Sequence, residues 1–407
     1  MMSSISLAPS SVLVRRRLRI AVVAACPMPS RRGTPLRIER LAEALAARGH
    51  QVELVTYHLT DDDAPLSLPV HRIFNREELR RTAVGPSLRK LFLYDPALAW
   101  TLWRLLAREP FDVIYAHHFE GALCALPAGR RHGLPVIYDA HTMLASELPS
   151  YAPTLLRGAT RVLGRWLDGL VPSWVNHSVT VTRDIRDRLI ADHGIDPDDV
   201  TVVMNGVESA LFAQSGSSTV SPEPNRLIYT GTLAAYQDVG LLLEAFALAH
   251  QQRPAMRLTM SVSSSFDRYE EQARRLGIRA AIDVVADTLA DLPARLAQAR
   301  IAVMPRTRCD GIPQKLLNYM AAGNACVASA GSAKVMENEV TGLVVPDGDA
   351  AAFAAALVRL VDDPALAARL ADNARSFAQR QCRWELAAER VEAICESLVG
   401  RSAEPSA

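Results

Sequence analysis

The sequence predicts an α/β protein made of two doubly wound, Rossmann-like halves facing each other across a cleft. Three observations carry the prediction. The chain has 407 residues, where a domain takes roughly 100–200. Short apolar runs alternate with stretches of helical period, the pattern of parallel α/β folding. A polar break interrupts that alternation, which then restarts.

The elements follow in order. LRIAVVA (18–24) reads as a buried strand, followed by the turn-rich CPMPSRRGTP. Ile38, Leu41, Ala42 and Leu45 then share one helical stripe, and Gly49 ends the helix. Further strands read at 51–57, 112–116, 135–139 and 178–182. AQSGSSTVSPEPN (213–225) is Ser/Pro-rich and aperiodic, as an exposed connection is. Beyond it, strands read at 226–231, 256–262, 281–285, 301–305 and 325–329. Helices are predicted over 239–252, near 268–276, over 289–299 and from about 314, with Ala-rich helices around 349–361, 364–381 and 383–398. The domains expected are 19–205 and 206–382, with residues 1–18 and 399–407 as disordered ends.

Composition narrows the function. A net charge of +1 disfavours nucleic acid as the partner. No run approaches the ~20 apolar residues of a membrane span, and the N-terminal arginines follow the short apolar run, the wrong order for a secretory signal. Six cysteines without a C-x-x-C pair indicate neither a disulfide framework nor a zinc site, so the chain reads as cytoplasmic. Asp61–Asp63 contains D-x-D but reads as a solvated acidic loop, and no metal is expected. Charge is uneven, since residues 1–176 carry 22 Lys+Arg against 15 Asp+Glu. LRRTAVGPSLRKLFLY (79–94) and the helix-like 153–175 set Arg or Lys beside Leu, Phe and Trp. Such helices either pack on the sheet with a basic face outward or lie on an anionic bilayer.

Ligands of open α/β sheets sit beyond the carboxyl ends of the strands. The loop RRGTP (31–35) follows the first strand, and its Gly33, with Thr34 behind it, lets a phosphate approach a helix N-terminus. Nothing spells G-x-G-x-x-G or a Walker sequence. The segment CDGIPQKLLNYMAAGNACVAS (309–329) is more telling. Pro313 opens a helix, which predicts outward, unpaired N–H groups on Gln314, Lys315 and Leu316. Lys315 adds a cation, Asp310 an acceptor for sugar hydroxyls, and Asn318 both donor and acceptor capacity. His117, His118 and His141 stand at the ends of neighbouring strands, with Glu120 just behind.

This segment resembles the nucleotide-sugar site of the family 4 retaining glycosyltransferases (glycosyl transferases group 1), whose fold is GT-B. The family hallmark is two glutamates eight positions apart, and Asp310 and Asn318 have that spacing. Further landmarks occur in the family's order: RRGTPLRIERLAEALAARGHQVELVT, DVIYAHHFEGA, VIYDAHTM, VVMNGVE, YTGTLAAYQDVGLLLEAFA and TGLVVPDGD. The resemblance implies that Gly33 meets the donor diphosphate and His141 the transferred sugar. It implies that Asp310 binds sugar hydroxyls, that backbone amides around Gly311, Ile312 and Leu316 hold sugar and phosphates, and that Asn318 holds the ribose. Asn205 would shape the crossing between domains, and Val285 and Ala286 would meet the base. His118 and Glu120 fall on the acceptor side. The last helix would cross back to the first half.

The same resemblance implies metal-independent transfer without a cofactor and with retained configuration. The donor would be a nucleotide-sugar, UDP-linked in the first instance, and the acceptor a cell-surface polysaccharide precursor or its lipid carrier. One departure from the family pattern bears on mechanism: where relatives place an Arg and a Lys, this chain has Thr232 and Gln237. A charge pair at 4 Å is worth about 4 kcal/mol at an effective dielectric of 20, before desolvation. Lys315, with Arg306 as second candidate, is therefore expected to stabilise the leaving diphosphate. Two other readings accommodate the departure: a catalytically degenerate scaffold in polysaccharide assembly, and a GT-B nucleotide-sugar epimerase.

Overall fold

The computed structural model describes residues 16–30, 33–57, 66–73, 87–212, 222–288 and 290–403. Asp61–Asp63 and residues 79–86 of the first basic stretch lie outside the described residues.

The first half runs β1 (Arg19–Ala24), α1 (Gly33–Ala47), β2 (Gln51–Thr56), β3 (Val70–Arg72), a π-helical turn Lys90–Tyr94 leading into α2 (Asp95–Leu106), β4 (Val113–His117) and α3 (His118–His132). It continues with β5 (Val136–Ala140), α4 (Leu144–Tyr151), α5 (Arg157–Trp174), β6 (His177–Thr180), α6 (Arg183–His193) and β7 (Val200–Val202). The second half runs β8 (Glu223–Gly231), α7 (Val239–Gln252), β9 (Arg257–Val262), α8 (Asp267–Arg275), β10 (Ile282–Ala286), α9 (Leu292–Gln298), β11 (Ala299–Met304), α10 (Gln314–Ala322), β12 (Ala325–Ser329) and β13 (Leu343–Val345). Helices α11 (Ala350–Asp362), α12 (Pro364–Gln381) and α13 (Trp384–Ala403) close it.

Each half is a parallel sheet, ordered β3-β2-β1-β4-β5-β6-β7 in the first and β10-β9-β8-β11-β12-β13 in the second. Both orders reverse direction at their centre, between β1 and β4 and between β8 and β11. These switch points open crevices beyond the strand ends. Both faces of each sheet are covered, so the central strands are buried: β4 and β5 have every residue buried. One face of the first sheet packs on α2, α3 and α5, the other on α1 and α13. Helix α13 thus lies on the first sheet although it follows the second. Trp384, Ala388 and Val391 share a core with Ile20 and Leu41, and His50 bonds Glu392 at 3.1 Å. A Cβ on Gly206 would sit 2.4 Å from the Trp384 ring, so the crossing of the chain at this point needs glycine.

The structure corrects three expectations and adds three short strands. Residues 223–225, read as connection, form the start of β8, where Glu223 pairs with Arg226. The short strands β3, β7 and β13 have three residues each, too few to show a period. Helix α13 runs to Ala403, past the expected end at 398, because Leu398 and Val399 are still buried. Leu18, placed in the disordered N-terminal extension, is fully buried, with its N–H on His50 Nδ1 at 3.2 Å.

Candidate active site

The carboxyl ends of β5, β6 and β11 meet across the cleft. Thr142, just past β5, has its Oγ1 3.5 Å from Asp310 Oδ2. Thr182, past β6, has its Oγ1 3.5 Å from the Asp310 carbonyl. Arg188 on α6 reaches Asp310 Oδ1 at 3.4 Å. A Cβ on Gly311 would lie 3.1 Å from the His141 carbonyl, so the two loops touch through backbone. His141 and Asp310 therefore border one space, one from each half.

On the second half, Pro313 caps α10. Here the structure departs from the sequence reading: the Leu316 N–H is not free but donates to the Pro313 carbonyl at 2.9 Å. The opening turn is tight, which leaves the N–H groups of Gln314 and Lys315 as the remaining helix-start donors of the three expected. Leu316 and Ile312 are buried. Lys315 points back over the β8 end, where Nζ donates to Gln237 Oε1 at 2.8 Å and to the Tyr229 hydroxyl at 3.0 Å. The ammonium also lies 4.2 Å from the Tyr229 ring centroid. Burial, reinforced by the Arg306 charge, brings the Lys315 pKa down to about 7. Arg306 lies 4.9 Å over the Tyr236 ring and donates through Nε to the Arg308 carbonyl. Thr232 is exposed and contributes its carbonyl to the Tyr229 hydroxyl.

The N-terminus of α1 reaches the same crossing. Gly33 has open space where a Cβ would be, with Thr34 beside it, and one turn on Arg37 donates to Asn205 Oδ1 at 2.8 Å. Asn205 donates in turn to Gln314 Oε1 at 3.2 Å, and Gln314 donates to Asn318 Oδ1 at 3.3 Å. This chain of polar groups ties both helix N-termini together. Val285 and Ala286 end β10, at the edge of the second sheet.

Under His141 lies a buried network that the sequence did not suggest. Arg37, 1% exposed, pairs with Asp139 at 2.9 Å, and the Tyr115 hydroxyl also donates to Asp139 Oδ2. Burial alone would raise the Asp139 pKa, but Arg37, His141 and His117 together hold it below the usual carboxylate range. His117 Nδ1 and His141 Nε2 are 3.2 Å apart. Burial pushes His117 down to about 3, His118 to about 4 and His141 well below its ordinary value, so all three are neutral imidazoles. Ligand atoms of His117, Asp139 and His141 lie within 4.8 Å of one another, as a divalent ion would require. The Asp139 oxygen Oδ2 is, however, already committed to Arg37 and Tyr115. His118, at a positive φ of 63°, stacks on His141 at 5.0 Å, and burial lifts Glu120 to about 7.

Two facing Rossmann-like halves with their sites at opposed strand ends define the GT-B fold. Residues 32–211 match the family model for Glycosyltransferase Family 4, and residues 224–363 the model for Glycosyl transferases group 1. The chain belongs to the family 4 glycosyltransferases. It is 25% identical over 391 residues to a D-inositol 3-phosphate glycosyltransferase of Thermomonospora curvata, covering 88% of this chain and 89% of the other. It is 24% identical over 383 residues to a glycogen synthase of Mycobacterium tuberculosis, covering 88% and 89%. Among solved structures it is similar to a sucrose-phosphate synthase from Thermosynechococcus elongatus, with TM-score 0.75, 18% identity and coverage of 95% and 100%. It is also similar to Anabaena HepE in complex with UDP, with TM-score 0.70, 17% identity and coverage of 93% and 100%.

Proposed function

We propose that the protein moves a sugar from a nucleotide-sugar, UDP-linked, to a hydroxyl of a cell-surface polysaccharide precursor or lipid-linked glycan. Configuration is retained, and neither metal nor cofactor takes part. The observation that carries this reading is the half-buried Lys315 ammonium, held by Gln237 and Tyr229 at the mouth of the crevice that Asp310 and His141 border.

In this reading the diphosphate rests against the free N–H groups of Gln314 and Lys315 and the N-terminus at Gly33 and Thr34. As the glycosidic bond breaks, negative charge grows on the leaving diphosphate, and Lys315, with Arg306 behind it, meets that charge in a dry site. Asp310 accepts from the sugar hydroxyls, and His141, a neutral imidazole, lies near the reacting carbon. Pro313 and Ile312 fix the loop that carries Gly311, while Asn318 holds the ribose and Asn205 shapes the crossing between the domains. Val285 and Ala286 lie toward the base, and Thr232 and Gln237 line the loop after β8. The departing diphosphate takes the proton of the acceptor hydroxyl on the same face of the sugar. His118 and Glu120 stand on the acceptor side.

The likeness to HepE bound to UDP and to WaaG, a glycosyltransferase involved in lipopolysaccharide biosynthesis, supports the donor and acceptor classes. No helix among the described residues is long and apolar enough to cross a membrane, and the enzyme is proposed to work from the cytoplasm, in peripheral contact with the inner face of the plasma membrane.

The test is incubation with a panel of nucleotide sugars and polyprenyl-diphosphate-linked acceptors, followed by NMR of the product anomer. Transfer with retention is expected. Donor binding without transfer or hydrolysis favours a scaffold, and conversion of one donor into its epimer without acceptor favours an epimerase.

A further inference from the structure

Helix α5 is apolar on two sides: Val171 and Leu167 face the core of the first half, and a second apolar stripe faces outward. The residues it buries, Gly164, Asp168 and Val171, repeat at helical spacing and form a narrow ridge. Gly164 lets that ridge sit on α4, where a Cβ would meet the Leu144 carbonyl at 2.4 Å. Asp168 accepts from the Leu144 and Ala145 N–H groups at 2.7 and 2.9 Å, so the docked face is held by polar contacts. The opposite face carries Val162 at 70% exposure, Trp166 at 59% and Leu163 at 49%, continuing into Leu155 at 94% just before the helix. Water-facing Trp, Val and Leu in one stripe are costly unless something covers them.

One flank of the stripe is basic. Arg157, Arg161 and Arg165 recur every fourth residue and are exposed, and among the described residues none is paired with a carboxylate. The single acid of α5 is the buried Asp168. A second exposed apolar set stands on the same side of the sheet, across α3, where Leu88 and Phe92 before α2 are 74% and 73% exposed and Trp100 on α2 is 62% exposed. The acids of α2 and α4 are engaged within the protein: Asp95 meets the Tyr57 hydroxyl, and Glu147 is 3.4 Å from that of Tyr151.

We infer that this outer face of α2 and α5 docks on an anionic bilayer, with Trp166, Val162 and Phe92 entering the acyl boundary and the three arginines meeting lipid phosphates. The inference rests on the lipid-borne acceptor proposed above and names the surface that meets the lipid. Unpaired cations beside apolar side chains are what an anionic interface recognises. An isologous contact with a second copy would instead set the two copies' arginine ridges against one another. The placement also suits the chemistry. Helix α5 is fixed to α4, and α4 begins three residues after His141, so a docked α5 holds the acceptor side of the cleft at the membrane surface.

The test is sedimentation of the full-length protein with vesicles of phosphatidylcholine alone and of phosphatidylcholine with phosphatidylglycerol, alongside size-exclusion chromatography. Binding to anionic vesicles is expected, with little to neutral ones and with loss at high salt. Arg157, Arg161 and Arg165 changed together to Gln should weaken it about a hundredfold, at roughly fivefold per side chain. Val162→Glu with Trp166→Glu should abolish it, with circular dichroism and UDP affinity unchanged. Absence of binding by the wild type overturns the proposal, as does a dimer that these two Glu substitutions dissociate. Nucleotide-sugar turnover is read in the same samples: turnover without vesicle binding sinks the docking face alone, and vesicle binding without turnover sinks the transferase reading alone.

Discussion

Nζ of Lys315 lies 2.8 Å from Oε1 of Gln237. At a position where the family pattern has a basic side chain, the loop after β8 here presents an acceptor, and the cation it holds comes from the first turn of α10. The charge reaches the crevice from a different element.

Lys315 should give the enzyme an unusual pH profile. Its pKa lies at about 7, brought down first by burial. If the ammonium must be present to receive the donor, kcat/KM for the nucleotide-sugar falls tenfold per pH unit above about 7. The bound diphosphate favours the charged form, so kcat holds to higher pH. Initial rates across about pH 6 to 9 check this; a kcat/KM flat over that range contradicts it.

The same burial makes Lys315 a stability liability. The unfolded chain releases this proton near 10.4 and the folded protein near 7, so the folded state binds fewer protons in between. The cost is full below about pH 7 and fades as pH rises toward 10.4. Lys315→Met should therefore raise stability by roughly 1–4 kcal/mol at pH 6, less at pH 9, while transfer is lost. Urea denaturation at the two pH values decides, and a destabilised variant at pH 6 would count against the assignment.

Arg37 and Asp139 are buried as a pair, 1% and 0% exposed. Removing one charge strands the other, so Asp139→Asn or Arg37→Met should each cost about 3–5 kcal/mol. The double variant should cost less than the two single ones together, because neither charge is then left alone. Single variants losing under about 1 kcal/mol would contradict the pairing.

His117 and His118 are held neutral, with pKa values of about 3 and about 4. The unfolded chain takes up protons below about 6.5. Their contribution is therefore complete above that pH and is lost as pH falls from 6.5 toward 3–4. Stability should drop by roughly 1–3 kcal/mol between pH 6.5 and 5, and His117→Gln should flatten that slope. Calorimetric Tm values at both pH values test it.

Where candidate site residues share one stretch of chain, the sequence places them easily. Asp310, Lys315 and Asn318 lie on one loop and its helix, and Pro313 marks where that helix starts. Long apolar strands such as β1 and β9 are equally plain. The Arg37 network is not legible, because its partners come from distant segments: Asp139 lies 102 residues away and Asn205 168. An arginine between Leu36 and Ile38 looks like one more solvated helix charge. The Leu316 N–H was expected to be free because proline position alone does not reveal how tightly the first turn closes.

The most direct measurement of the central claim is single-turnover cleavage of the nucleotide-sugar by Lys315→Ala beside Arg306→Ala, with UDP affinity determined for both. An oxyanion-stabilising donor is worth about 10²–10³ in rate. Lys315→Ala should lose that much in the chemical step, with a smaller loss in UDP binding, and Arg306→Ala much less. Near-normal cleavage by both variants would contradict the account.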